Sequence, residues 1–193
     1  MTTVEPDISE ELLAHLQRLV DREEIRDVMS RYARAVDRLD PDALRDVYHP
    51  DAEDDHADYR GDVEGLIGYI RERTAGPPQI MHFLGQCFIE FGDAGTAAVE
   101  TLFMTAHTLG AEAARAFGAD IPDDGTVQLN AWGRYVDRFE KRRGEWRIAK
   151  RTVIYEARRV TTEGLLGLKP DWELQRRDQT DAIYRLRQSL GLS

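Results

Sequence analysis

The sequence predicts an α+β fold, with helices gathered in the first half and antiparallel strands in the second. Two patterns carry that expectation. Apolar residues recur at helical spacing as far as Ile70, and from Ile80 onward they give way to alternating runs rich in aromatic and β-branched residues. A length of 193 residues fits a single domain, 1–193, with a core of about 15–160 and a C-terminal extension, 161–193, packed on the core or on a neighbouring subunit.

The elements follow in order. Ile8, Leu12, Leu13, Leu16 and Leu19 keep helical spacing. Asp21, with Glu24 three residues later, reads as the start of a second helix. Its stripe, Ile25, Val28, Met29, Tyr32, Ala33 and Val36, runs to about Leu39. Asp40-Pro41 opens a short helix carrying Leu44, Val47 and Tyr48, with Pro50 as its stop. A further helix after Gly61 turns Val63, Leu66, Ile67 and Ile70 inward, and Gly76-Pro77-Pro78 breaks the chain. Ile80 to Phe91 and Ala97 to Thr108 read as strands joined through Gly92-Asp93-Ala94-Gly95. Residues 110–125 are expected to form a helical insertion or a lid. Val127 to Lys141 and Trp146 to Ala157 are strands joined by a hairpin at Arg142-Arg143-Gly144-Glu145. Asp178 to Leu190 closes the chain as a helix whose Ile183, Tyr184, Leu186 and Leu190 suit a neighbouring subunit.

Charge narrows the partners. Lysines and arginines number 26 against 36 acids, a net charge of −10, so phosphate backbones and anionic membranes are repelled and neither is expected as a partner. The single cysteine, Cys87, cannot form an internal disulfide and fits a reducing compartment. No apolar run approaches the roughly 20 residues that cross a bilayer. The acidic opening MTTVEPDISEE has no basic region ahead of an apolar stretch, so no signal peptide and a cytoplasmic location are expected. No glycine-rich phosphate loop, Cys-x-x-Cys pair or Gly-x-Ser-x-Gly elbow occurs, which leaves nucleotide binding and serine hydrolysis without support. No cofactor is expected.

The side chains able to do chemistry are few. Of five histidines, His15 reads as a surface residue. His82, in Ile80-Met81-His82-Phe83-Leu84-Gly85, is either a core histidine satisfied by one hydrogen bond or a general base. A base needs a carboxylate to fix its tautomer, and Asp37, beside the apolar stripe that holds Tyr32, is the candidate. The alternative for Asp37 is a solvated helix end, where the helix dipole disfavours it. Tyr48-His49-Pro50-Asp51-Ala52-Glu53-Asp54-Asp55-His56 is dense in acids and imidazoles, yet shows no familiar metal-ligand spacing, so no metal is expected. Asp54 and His56, two apart on an expected edge strand, share a face and enter the pocket if that face is the inner one. Period two also aligns Arg151, Val153 and Tyr155. Arg151 is then either a cation reaching into a cavity to stabilise an anion or an exposed edge cation.

The ordered set Asp21-Arg22-Glu23-Glu24-Ile25, Tyr32…Asp37, Tyr48-His49-Pro50-Asp51-Ala52, Met81-His82-Phe83-Leu84-Gly85 and Gly133-Arg134-Tyr135-Val136-Asp137-Arg138-Phe139-Glu140…Gly144-Glu145-Trp146-Arg147-Ile148 resembles the SnoaL-like (nuclear transport factor 2-like) superfamily over roughly residues 15–160. The resemblance implies a cone-shaped barrel: N-terminal helices packed on a strongly curved mixed, mainly antiparallel sheet with a pocket between. Within it the chain is most similar to cofactor-free lyases: scytalone dehydratase, bile-acid 7α-dehydratase and hexachlorocyclohexane dehydrochlorinase. Their Asp–His dyad is carried onto Asp37 and His82, their pocket tyrosine or lysine onto Tyr32, and the dehydrochlorinase's arginine onto Arg151. His56 stands where the dehydratases place a tyrosine, and His107 matches the second histidine of scytalone dehydratase. Substrate contacts are expected from Asp54, His56, Tyr48, His107 and Tyr155. The bile-acid enzyme's arginine falls on Val153, so bile-acid substrates are not implied. The function so implied is a dehydratase-type lyase for a small cyclic, aromatic, polyketide- or steroid-like molecule. Neutral His82 takes a proton, and Tyr32, His56 or Arg151 stabilises the developing oxyanion or leaving group. An isomerase or cyclase on the same scaffold and a non-catalytic binding module are the alternatives. A homo-oligomer, trimer or dimer, is also expected.

Overall fold

The computed structural model describes residues 9–73, 79–93, 95–116, 121–123, 125–162, 168–169 and 171–192. The expected break at 76–78 lies outside them. Helix α1 spans Glu10–Arg38 without interruption. Ser9 caps it by accepting the Leu12 N–H, so the start signal expected at Asp21 is not used. Asp21 instead accepts from the Trp146 indole (2.9 Å) and Lys141 (2.7 Å), fastening the helix to a distant hairpin. Only the second half of α1 is buried, from Ile25 to Asp37, while Leu12, Leu13, Leu16 and Leu19 stay exposed.

The end of α1 matters most for the site. Leu39 takes a left-handed conformation (φ 51°). The Asp40 N–H returns to the Ala35 carbonyl (2.9 Å) and the Leu39 N–H to that of Val36 (3.3 Å), a Schellman closure made without glycine. Asp40 then caps α2, Pro41–Val47, whose first residue is a proline. Helix α2 stops at Val47 rather than at Pro50, and Tyr48 already belongs to strand β1, Tyr48–Asp55. Pro50 falls where the β1 register breaks between Tyr48 and Glu53, a bulge that needs no N–H from it. Strand β2, Arg60–Gly61, folds back on β1, and α3, Val63–Arg73, buries Val63, Leu66, Ile67 and Ile70 as expected.

Four long strands follow: β3 Ile80–Phe91, β4 Thr96–Gly110, β5 Thr126–Arg142 and β6 Glu145–Thr161. Between β4 and β5, α4 (Ala111–Ala116) begins the expected insertion, and the reading of a lid lies largely outside the described residues. The β5–β6 hairpin turns on Arg143 (φ 55°) and Gly144 (φ 87°), the two positive dihedrals of a type I′ turn. The sheet is six-stranded in the order β2-β1-β6-β5-β4-β3. All described pairings are antiparallel except β1 with β6, so the sheet is mixed, mainly antiparallel and open, not a closed barrel. Gly133 lies where β6 crosses β5 so closely that a Cβ would meet the Ile154 carbonyl oxygen at 2.1 Å. The register shifts at that point, and the bulge bends the two strands.

Helices α1 and α3 pack on one face of the sheet around a core of Ile25, Val28, Tyr32, Leu66, Val99, Tyr135, Phe139 and Ile148. The C-terminal segment packs back on its own chain. Gln175 donates to the carbonyls of Asp37 (3.2 Å) and Ile80 (2.7 Å), and Arg177 to that of Asp37 (3.2 Å). Asp181 caps α5, Ala182–Ser189, and pairs with Arg38 (3.3 Å), while the Tyr184 hydroxyl donates to Asp40 (2.7 Å). These bonds supply the α1 carbonyls that a helix end leaves without partners. No helix among the described residues is long and apolar enough to cross a membrane.

Candidate functional site

Between α1, α3 and the sheet lies a pocket of about 660 Å³, its open mouth included. Its walls come from Tyr32 and Val36 of α1, Tyr69 and Ile70 of α3, and Phe103, Thr105 and His107 of β4. Leu129, Ala131 and Tyr135 of β5 and Tyr155 and Arg158 of β6 complete the sheet side. His82 enters from β3 and His56 from the turn after β1. Strands β6, β5 and β4 lie between β1 and β3 in the sheet, so the sheet must curve to bring both rings to one cavity.

Asp37 holds His82 twice. One carboxylate oxygen accepts the His82 backbone N–H (3.1 Å) and the other accepts from Nδ1 (2.6 Å). Both side chains are largely buried, 11% and 7% exposed. With Nδ1–H committed to Asp37, the neutral ring carries its lone pair on Nε2. His107, on the neighbouring strand, has its ring 6.3 Å from that of His82.

A second pair lies across the pocket. Asp54 is fully buried and does not line the cavity itself; it sits behind His56. Its carboxylate accepts from the Tyr48 hydroxyl (2.6 Å) and from His56 Nδ1 (3.1 Å). Tyr48 is likewise buried and reaches the site through Asp54 and edge-on against the ring of Tyr32. His49, its neighbour, bonds the Glu140 carbonyl (2.8 Å) away from the pocket.

Arg151 takes neither of the positions considered for it. It is 0% exposed and lies one layer below the cavity. Nε and Nη2 form a fork on Asp137 (2.8 and 2.7 Å), and the guanidinium is held between the rings of Tyr32 (4.0 Å) and Tyr135 (4.2 Å). A cation this deep needs a carboxylate and aromatic faces in place of water, which fixes it there. Burial pushes the Asp137 carboxyl above its usual range, although Arg151 pulls the other way. Burial likewise raises the phenols of Tyr32, Tyr48 and Tyr135, so all three are neutral donors near pH 7. Among the described residues the buried Tyr32 hydroxyl has no hydrogen-bond partner.

Arg158 is the cation that lines the pocket, and period two counted from Arg151 passes over it. The bulge opposite Trp132 and Gly133 shifts β6 by one residue, turning 158 to the face that 155 occupies. Thr105, Tyr69 and Tyr135 were also not singled out in sequence, though Thr105 keeps period two with His107. No group of three or more potential ligands suited to a metal ion occurs among the described residues.

The model of the SnoaL-like domain matches residues 17–152. The chain belongs to that family. Solved structures of the same fold include a LinA-type hexachlorocyclohexane dehydrochlorinase from Novosphingobium barchaimii, with a TM-score of 0.63 and 20% identity over 81% of this chain and 99% of that one. A scytalone dehydratase-like protein from Novosphingobium aromaticivorans gives a TM-score of 0.60 and 16% identity over 82% and 97%. A protein from Kribbella flavida gives 0.61 and 18% over 74% and 95%. No curated protein matches the chain in sequence. As a SnoaL-like protein the chain shares its fold with these structures.

Proposed function

We propose that this SnoaL-like protein is a cofactor-independent, dehydratase-type lyase for a small cyclic or aromatic molecule. The observation that carries the reading is the 2.6 Å bond from His82 Nδ1 to Asp37, made by a ring that lines the pocket. Neutral His82 removes a proton, through Nε2, from a carbon next to an activating carbonyl. Asp37 fixes the tautomer and balances the imidazolium that forms. The released electron pair makes the new double bond, and the leaving hydroxyl departs as water once protonated. The neutral Tyr32 phenol, on the pocket wall, donates to the developing oxyanion in this reading. Arg151 sets the floor by holding Tyr32 and Tyr135 and is not itself in contact with the ligand.

The test uses a six-membered cyclic β-hydroxy ketone, followed by mass spectrometry and by deuterium uptake next to the carbonyl in deuterium oxide. Loss of water marks elimination, and an unchanged mass with a moved double bond in the β,γ-unsaturated ketone marks isomerisation. His82→Ala is expected to remove turnover while the protein stays folded. A folded His82→Ala protein as active as wild type sinks the reading. The homo-oligomer is proposed with it, on the apolar row Phe83, Phe88, Leu102 and Val136 exposed on the outer sheet face, and sedimentation of the full chain tests it.

A further inference from the structure

Strand register sets an unusual row of charges under the pocket. Asp54 of β1 pairs with Arg151 of β6, and Arg151 pairs with Asp137 of β5. Two buried carboxylates thus flank one guanidinium. Arg151 gives its fork to Asp137, and no hydrogen bond runs from it to Asp54. The Asp54 carboxylate is left with a neutral phenol, Tyr48, and with His56. The cluster Asp54, Asp137 and Arg151 then carries a formal charge of −1 in a place closed to water, an arrangement that is unfavourable unless a cation completes it. His56 is the ring that bonds this cluster and also lines the pocket, so a proton carried there has a carboxylate behind it.

The other wall differs. Arg177, half-buried, donates to the main-chain carbonyl of Asp37 (3.2 Å), which brings a cation close to that carboxylate before His82 is counted. His107 stands 6.3 Å from His82 as well, and a second positive ring there is disfavoured. The two pocket histidines are therefore built alike, each with Nδ1 on a carboxylate, but set in surroundings of opposite demand.

We infer that His56, held by Asp54, is the general acid of this site: it delivers a proton from Nε2 to the departing hydroxyl while His82 takes the proton from carbon. The inference rests on the reading of His82 as the base. The balance is complete. The C–H electron pair becomes the double bond, the C–O bond breaks with its pair going to oxygen, and the His56 proton turns that oxygen into water. His82 ends protonated and His56 neutral, and one proton exchanged through solvent resets both. His82 comes from β3, the last strand of the sheet, and His56 from the turn after β1, with β6, β5 and β4 between them, and both line the one pocket, so in this assignment a bound ring lies between donor and acceptor. Tyr69 and Tyr155, with ring centres 6.3 and 6.5 Å from that of His56, wall the acid on its open sides.

Two measurements on the full chain test this. The first needs no substrate: nitrogen-15 long-range correlation spectra near pH 7, with His56→Gln and His82→Gln used to assign the rings. The expected result is a His56 ring protonated on both nitrogens and a His82 ring protonated on Nδ1 alone. Asp54→Asn should return His56 to the neutral form, a change that a purely structural role for Asp54 would not produce. The second uses the cyclic β-hydroxy ketone. His56→Gln should lower elimination by about 10²-fold or more while deuterium uptake next to the carbonyl stays within about tenfold of wild type. His82→Gln should lose both. A neutral His56 with a bare Nε2 overturns the assignment whatever the turnover, and so does a His56→Gln protein that eliminates at the wild-type rate. A His82→Gln protein with both activities intact refutes the base reading instead, so the two failures are told apart.

Discussion

Breaking the Asp137–Arg151 pair from its two sides should give two different results. In Asp137→Asn the guanidinium loses its two-pronged carboxylate and stays fully buried against Tyr32 and Tyr135, with Asp54 on the neighbouring strand but already bonded to Tyr48 and His56. Arginine has no neutral form to fall back on. Removing one partner of a buried pair costs about 3–5 kcal/mol, which for a chain of this length lowers Tm by roughly 10 °C. In Arg151→Met the stranded group is the carboxyl of Asp137, which burial already pushes above its usual range. Without Arg151 nothing offsets that push as strongly, and the folded state binds the proton more tightly than the unfolded chain does. A carboxyl raised in the folded state makes stability fall as pH rises through its folded value. The Arg151→Met deficit, measured against wild type at the same pH, should therefore shrink from pH 7 to pH 5. The Asp137→Asn deficit should find no such relief in acid. Urea unfolding at both pH values reads this directly. Deficits under about 1 kcal/mol, or an Arg151→Met deficit that grows in acid, would refute the account of the pair.

Other outcomes follow from the same contacts. Gly133→Ala drives a Cβ into the Ile154 carbonyl oxygen, so calorimetry should show a loss of about 2 kcal/mol or more from strain between β5 and β6. Asp37→Asn should leave the fold intact but free the His82 tautomer, lowering turnover of the cyclic β-hydroxy ketone by at least about 10²-fold in a stopped assay. Gln175→Ala with Arg177→Ala should speed amide exchange at Leu39 and Asp40 ahead of the rest of α1, because the last carbonyls lose their donors. Arg45→Ala, which removes an exposed fork on Glu64, should leave the urea midpoint close to that of wild type.

The parts of the fold that were legible in the sequence rest on local period. Val63, Leu66, Ile67 and Ile70 could face only one way on a helix, and β3 begins and ends at the residues where alternation does. Local signals failed where a side chain was committed elsewhere. Asp21 and Glu24 have the spacing of a helix start, but Asp21 is held by Trp146, 125 positions away. Pro50 looks like a helix stop and instead rides in a strand bulge, which a single strand read alone does not announce. In the site, Asp37 was legible because it borders the buried stripe, and His82 because it interrupts an apolar strand. Arg158 was hidden by one residue of register shift in β6, and the Arg151–Asp137 fork by cross-strand pairing that only the folded sheet defines.

The C-terminal segment touches the carbonyls of Asp37 and Ile80, and thereby the helix and the strand that carry the two halves of the Asp37–His82 pair. Gln175 lies 138 positions beyond Asp37. A ribosome thus makes the helix bearing the carboxylate early and the residues that close its last turn late. A nick or a bulky fusion near residue 175 would act at the same point, loosening the backbone of Asp37 and of the pocket residue Ile80 together.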